Sequence, residues 1–409
     1  MKRIYRIGLL SLLFFANIAV TFSCTTAVIS GKFTKSGRPM IWKVRDTDYL
    51  SNAMKSFDDG KWEYVGLINA QDTLGKEIWG GHNAMGFAIM NSASFNVNQG
   101  DPDSIANKEG VFMREALKTC ITLADFEELL NKRPRPMGLA AHFGVIDAKG
   151  GAAFYEVNNE TWTKFDANDS NVAPQGYILR TNFSHTGEKD KGLGYIRCQT
   201  AELLFKQIPM GSLTIEKLMQ DFSRCTINPI LDVNYRKEYS ALPFSNKFVN
   251  SDDLICRHGT SSTIAIEGIV PGKEKPEYTT TWIQLGLPYI SVTIPVWTGY
   301  DIPRILRQEQ PGEDAPLAHA TLEIKQRKIF PIGRSDGYHY LSISHLFNKE
   351  QTGITQRIEN IEKDIFQQTE SCRNEWGNKG RNKQNNPTAL YKRFMSKVER
   401  LYQELLLEK

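Results

Sequence analysis

A cysteine followed by two threonines, Cys24-Thr25-Thr26, ends an apolar leader, and further along the chain reads Arg45-Asp46-Thr47-Asp48. A thiol is a strong nucleophile only as thiolate, and a free one, with a pKa of about 8.5, is mostly protonated at neutral pH unless a base or cation sits beside it. Cleavage between Ser23 and Cys24 would make the cysteine the first residue of the chain. Its own α-amine, with a reference pKa of about 8, could then accept the thiol proton. The second strand of a hairpin would bring the Arg45 guanidinium and the carboxylate of Asp46 or Asp48 alongside that thiol.

The elements that must hold these groups are legible as short β-rich runs. TTAVISGKF, a polar Thr34–Arg38 turn and PMIWKVRDTD read as a β-hairpin. Further strands are expected at 86–95, 143–157 (a hairpin turning at Lys149-Gly150-Gly151), 176–183, 261–270 and 279–297. Apolar residues three and four apart predict helices over 111–132 and 196–208. Strands outnumber helices and arrive as neighbouring hairpins, which predicts an α+β fold with antiparallel sheets. From about residue 350 the chain turns charged and amphipathic, with a polar interruption at 375–387, and reads as a helical appendage packing on the main body. The expected division is a leader at 1–23, a main domain at 24–345 and a C-terminal helical extension at 346–409.

Residues 1–23 have the anatomy of a secretory signal: Lys2, Arg3 and Arg6, an apolar run from Ile7 to Val20, then small Thr21 and Ser23. That run is shorter than the roughly 20 residues a spanning helix needs. Three of the formal +4 charges lie in the leader, so the rest of the chain carries +1. This balance gives no reason to expect nucleic acid or an anionic surface as partner. Six cysteines are sparse for an exported chain of 409 residues, so the fold should rest on its core. Cys225 and Cys256 bracket a loop-like segment and could pair. The seven histidines show no HxxxH or Cys/His clustering, so neither a metal nor another cofactor is expected.

Cys-Thr-Thr at 24–26 is followed by Arg-x-x-Asp at Arg45 and Asp48, and by Gly-x-Asn-x-x-Gly-x-x-x-x-Asn at Gly81, Asn83, Gly86 and Asn91. Thr181-Asn182 and a helix-opening Arg197-x-x-x-Ala201 come next in the same order. In these motifs the chain resembles the N-terminal-nucleophile hydrolases that cut linear amides, among them conjugated bile salt hydrolases, penicillin V acylases, acid ceramidase and isopenicillin N acyltransferases. The resemblance covers roughly residues 24–300 and implies an αββα sandwich of two antiparallel sheets between helix layers. It also implies roles: Cys24 attacks the amide carbonyl, its α-amine shuttles the proton, Arg45 and Asp48 orient thiolate and ammonium, and Arg197 completes the charge network. Asn91, by its backbone N–H, and Asn182, by its side-chain amide, would form the oxyanion hole.

The expected substrate is a small-molecule N-acyl amide, resolved through an acyl-cysteine by water or, in an acyltransferase, by an amine. Related cysteine dipeptidases also begin Cys-Thr-Thr and are the alternative within this chemistry. Trp297 and Tyr300, after a strand and beside Gly299, are candidates for lining an acyl pocket, with core packing as the other reading. His258 beside Ser261 and Ser262 lacks a Gly-x-Ser-x-Gly frame and reads as structural. The leader implies an exported protein, periplasmic or secreted; the rival of another class is a non-catalytic outer-membrane lipoprotein, because Thr21-Phe22-Ser23-Cys24 is a loose lipobox and a lipidated Cys24 could not attack anything. Homo-oligomerisation stays open.

Overall fold

The hairpin forms as its alternation predicts: β1 (Cys24–Ile29) and β2 (Met40–Asp46) pair antiparallel with Cys24 opposite Arg45 and Thr26 opposite Lys43. This computed structural model describes residues 23–100 and 108–408. The expected leader, apart from Ser23, lies outside them. Every residue of β1 and β2 is buried, because the hairpin is covered on both faces.

Along the chain follow β3 (Asn52–Phe57), β4 (Tyr64–Asn69), β5 (Gly80–Asn83), β6 (Ala88–Ala93), β7 (Ala141–Ile146), β8 (Ala152–Val157), β9 (Trp162–Asp166) and β10 (Tyr177–Arg180). After these come β11 (Thr260–Glu267), β12 (Thr280–Leu285) and β13 (Ile294–Val296). Strands β3 to β9 form a seven-stranded antiparallel meander in chain order. The other main sheet has six strands in the order β10-β1-β2-β11-β12-β13. The principal helices are α1 (Glu109–Thr119), α2 (Leu123–Lys132), α3 (Tyr195–Lys206), α4 (Pro316–Ile324), α5 (Ile354–Lys379) and α6 (Pro387–Leu407).

Side-chain alternation sorts the layers. Trp42 points away from the second sheet, donating its indole N–H to Ser223 Oγ at 2.9 Å and meeting Phe205 of α3. Its neighbours Lys43 and Arg45 point the other way, toward the seven-stranded sheet. The sheets meet closely at Gly144 of β7, where a Cβ would lie 2.9 Å from Val28 Cγ2 and 2.6 Å from Met90 Cε. On the far side of the meander, Phe112 of α1 and Phe126 of α2 pack on Phe143 and Tyr155. The result is the αββα layering that the resemblance implies.

Two departures from the sequence reading have local causes. The helical pattern at 111–132 is two helices, because Thr122 caps α2: its side chain accepts from the Asp125 N–H while Asp125 accepts from the Thr122 N–H. Cys225 and Cys256 do not pair; all six cysteines are free thiols, and all are buried.

The C-terminal helices pack on the six-stranded sheet and share its core. Trp282 of β12 lies 5.0 Å from Phe366 of α5, centroid to centroid, and Glu362 of α5 accepts both a two-pronged ion pair from Arg224 and the Thr293 N–H. Among the described residues no helix is long and apolar enough to cross a membrane.

Candidate active site

Cys24 opens β1 with only 6% of its surface exposed, and its backbone N–H donates to Asn182 Oδ1 at 2.8 Å. The Cys24 carbonyl accepts from Arg197 Nη1 at 2.6 Å, and the same nitrogen donates to Thr25 Oγ1 at 2.9 Å. Arg197 Nη2 reaches Asn182 Oδ1 at 2.9 Å, so one guanidinium ties the cysteine's carbonyl to the amide that holds its nitrogen. Asn182 Nδ2 donates to the Ala93 carbonyl at 2.9 Å, anchoring the arrangement on β6. Arg197 fits because residue 194 is glycine: at φ +84° a Cβ there would stand 2.4 Å from Arg197 Nη2. The Gly-x-Gly before α3 therefore has a role in the site.

Across the pair from Cys24, Arg45 is held by neutral oxygens. It donates to Asn52 Oδ1 at 2.5 Å and to Asn69 Oδ1 at 2.8 Å, and lies 4.9 Å from the Trp79 ring centroid. Burial pulls its pKa down to about 10, opposed by the nearby Cys24 and Glu77. Arg197 is likewise pulled down to about 10 by burial, and neighbouring Arg257 adds to the fall. Asn52 and Asn69, directly opposite each other on β3 and β4, are site residues that no local motif marks.

Lys43 lies on the same face as Arg45 and is 1% exposed. Its ammonium donates to Asn91 Oδ1 at 2.8 Å and to the Trp79 carbonyl at 3.0 Å. Burial pushes its pKa down to about 7; the Cys24 charge pulls up and Arg45 pushes further down. Sequence reasoning missed it, although a lysine two residues before Arg45, at an inward strand position between hydrophobic neighbours, is a signal of its own.

The two candidate carboxylates part company. Asp46 is 4% exposed, accepts from Thr260 Oγ1 at 2.6 Å and Arg257 Nε at 2.8 Å, and its N–H reaches the Ser23 carbonyl at 3.1 Å. Asp48 falls past the end of β2 in an exposed turn. The strand ends at Asp46, so the pleat that carries side chains inward does not extend two residues further. Of the two candidates, the structure encloses Asp46 and leaves Asp48 exposed.

Cys24, Lys43, Arg45, Asp46, Trp79 and Asn91 line a cavity of about 560 Å³, extended by Tyr49, Phe95 and Val97 and by the carboxylates of Glu77 and Glu109. Burial raises the pKa of both glutamates, and Glu109 also accepts from the Ala140 N–H at 2.9 Å. Trp297 and Tyr300 are not part of this cavity. Trp297 is fully buried, donates to Thr280 Oγ1 at 2.8 Å and packs against Trp376 of α5, a core position on the helix-covered side of its sheet. Tyr300 borders a separate groove with Phe57, Glu63 and Arg307, where Arg381 stacks on its ring at 5.2 Å. His258 is half-buried, packs edge-on to Phe330 and has its pKa pushed down to about 4 by burial.

The Gly81–Asn91 motif builds the β5–β6 hairpin. Asn83 accepts from the N–H groups of Met85 and Phe87 and donates to the carbonyls of Leu117 and Cys120, which fixes the turn and delivers Asn91 to Lys43.

No family model matches the sequence, and no curated protein matches it. Among solved structures the fold is similar to an N-acylethanolamine-hydrolyzing acid amidase ortholog from Caenorhabditis elegans, at 14% identity over 59% of this chain and 92% of that one, with a TM-score of 0.42. It is similar also to a conjugated bile acid hydrolase mutant from Clostridium perfringens (11% identity, 68% and 93% of the two chains, TM-score 0.37). A penicillin V acylase from Agrobacterium tumefaciens matches at 13% identity over 70% and 89%, TM-score 0.37. At identities of 14% and below, what Cys24 and its neighbours do has to be argued from their own geometry.

Proposed function

We propose that this chain is an exported amidohydrolase in which Cys24, freed as the N-terminal residue, cleaves a linear amide of an N-acyl compound through an acyl-cysteine. One observation carries the reading: a cysteine nitrogen fixed by Asn182, a cysteine carbonyl fixed by Arg197, and a cavity bordered by the cysteine together with Lys43 and Arg45. A free cysteine with that environment has a held nucleophile and cations to stabilise thiolate and oxyanion. Arg45 serves the thiolate, and Asp46 offsets the guanidinium of Arg197. Asn182, with Oδ1 on the Cys24 nitrogen, orients the nucleophile, and Asn91 faces the reacting carbonyl from the opposite sheet. Tyr49, Trp79, Phe95 and Val97 give the acyl group an apolar wall.

The lipoprotein alternative fits this environment poorly. Ser23 and Cys24 are 3% and 6% exposed, and β1 lies between β2 and β10 from its third residue on. A lipid anchor needs a flexible tether after the cysteine, and none follows here.

The test is the mass of the N-terminal peptide of the exported protein, followed by turnover of a panel of N-acyl amides by wild type and Cys24→Ala. The expected result is a chain starting at unmodified Cys24, with turnover in the wild type and none in a folded Cys24→Ala. A diacylglyceryl or N-acyl adduct on Cys24, or equal turnover by Cys24→Ala, would end the proposal.

A further inference from the structure

In the proposed reaction Asn91 offers its backbone N–H to the reacting oxygen, yet β6 lies in the middle of its sheet, where backbone N–H groups are normally taken by a neighbouring strand. The register shows how this one stays free. Ser94 donates its N–H to the Ala140 carbonyl, on the β7 side. Backbone groups alternate in direction along an antiparallel strand, so Met90 and Ser92 also face β7, and the Asn91 N–H faces β5. At the start of β6 the Phe87 carbonyl accepts from the Asn83 N–H of β5, in step with that alternation.

Asn83 with Phe87 and Gly81 with Ile89 set the β5–β6 register, and the next rung of this kind would join Trp79 to Asn91. It is not made. The pairing stops at Gly80 opposite Met90, Trp79 turns its N–H to the Leu67 carbonyl of β4, and the Trp79 carbonyl accepts from Lys43 Nζ at 3.0 Å. Among the described residues the Asn91 N–H meets no acceptor.

The same Nζ donates to Asn91 Oδ1 at 2.8 Å. One lysine from the facing sheet therefore spans the open rung, holding both the Asn91 side chain and the carbonyl that the Asn91 N–H would otherwise take. Two acceptors need two N–H groups, which a lysine offers in either protonation state. Cys24, Lys43, Trp79 and Asn91 all border one cavity, so the unmade rung lies on the wall of the nucleophile's own space.

We propose that Lys43 is a positioning residue that keeps the oxyanion hole open: by occupying the Trp79 carbonyl it stops the last β5–β6 rung from closing and leaves the Asn91 N–H for the oxyanion. This inference rests on the amidohydrolase reading. The α-amine of Cys24 remains the base that takes the thiol proton and passes it to the leaving amine. Lys43 trades no proton and touches no reacting atom; it acts through Asn91. Without it the Trp79 carbonyl and the Asn91 N–H would face each other unpaired, and buried backbone groups so placed bond to each other. The N–H would then be spent on the sheet.

The experiment compares wild type, Lys43→Met and Lys43→Arg by kcat and KM for an amide that the wild type turns over, and by the rate of Cys24 alkylation with iodoacetamide. Both are measured at about pH 9, where Lys43, its pKa lowered to about 7, is neutral and its charge has no part in the result. Hydrogen exchange at the Asn91 amide, read by mass spectrometry, is the third measurement. Alkylation at sulfur develops no oxyanion, so it reports the thiol alone. Lys43→Met should lower kcat about 100-fold, as loss of one oxyanion donor does, with KM and alkylation within about twofold of wild type and slower exchange at Asn91. Lys43→Arg keeps N–H donors for both oxygens and should recover at least about tenfold of the lost kcat. A kcat in Lys43→Met within about twofold of wild type, unchanged exchange at Asn91, or alkylation falling in step with kcat would overturn the inference. If Lys43→Met does not fold, Lys43→Gln, whose side chain is too short to bridge the two oxygens, carries the same expectations. If the wild type turns over no amide, the amidohydrolase reading fails, and exchange at Asn91 still decides whether Lys43 holds the rung open.

Discussion

Two sets of buried cations in this molecule are held in opposite ways. Beneath the C-terminal helices, Arg224 faces the Glu362 carboxylate at 2.8 and 2.7 Å with its remaining N–H groups on the carbonyls of Pro288 and Ser291. Arg38 is enclosed by Glu267, Glu274 and Glu370. Both have pKa values raised despite burial, because carboxylates supply the opposing charge. Around Cys24, Arg45 and Lys43 rest on amide and carbonyl oxygens, and their pKa values fall. Cations neutralised in place brace a fold. A cation left without a carboxylate, as Arg45 is, has a charge that nothing in the fold neutralises, and in the proposed reaction that charge would meet a thiolate or an oxyanion.

The comparison breaks if the two sets respond alike to mutation. Arg224→Met leaves Glu362 buried without its cation and should lower stability by about 3–5 kcal/mol, with turnover per folded molecule unchanged; chemical denaturation and active-site titration separate the two. Arg45→Met should do the reverse, lowering kcat about 100-fold while melting at or above the wild-type temperature, since no carboxylate loses its only partner. A large loss of stability in that variant would erase the distinction.

Smaller effects sharpen it. Asp46→Asn should lower turnover about 10-fold, and Asp48→Asn should leave it within about twofold, because only the first is enclosed at the end of β2. A further effect is on the pH dependence of stability. The Lys43 pKa falls from 10.5 unfolded to about 7 folded, so between those values the unfolded chain binds more protons and the folded state gains stability as pH rises. That contribution is lost progressively as pH falls from about 10.5 to about 7, and below that both states hold the proton. The stability of wild type relative to Lys43→Met should therefore increase from about pH 7 to about pH 10 in urea titrations.

What could be read in the sequence was what local periodicity determines. The opening hairpin was legible because two alternating strands and a polar turn fix which residues face each other, and Cys24 opposite Arg45 is a consequence of that pairing. The choice between Asp46 and Asp48 stays open in the sequence, because counting along a motif does not say where the pleat stops. Asn52, Asn69, Arg257 and Thr260 come from strands and loops whose approach is a tertiary event, so nothing near them in the sequence announces the site. Trp297 and Tyr300 were candidates because they follow a strand beside Gly299, but past the end of β13 at Val296 the two diverge. One side chain enters the core under α5 and the other faces a groove. The break between α1 and α2 was present as Thr122-x-x-Asp125, hidden under a continuous apolar period.

The strand orders of the two sheets carry a consequence for how the protein is made. In the meander each strand bonds to the next in the chain, so β3 to β9 can zip up from neighbouring hairpins as soon as residues 52–166 exist. The six-stranded sheet must bring residues 24–29 beside 177–180 and residues 40–46 beside 260–267, which demands long loop closures and is correspondingly slow. During folding the meander should therefore stand as a template while β1 and β2 wait for the second half of the chain. The surroundings of Cys24 are completed last.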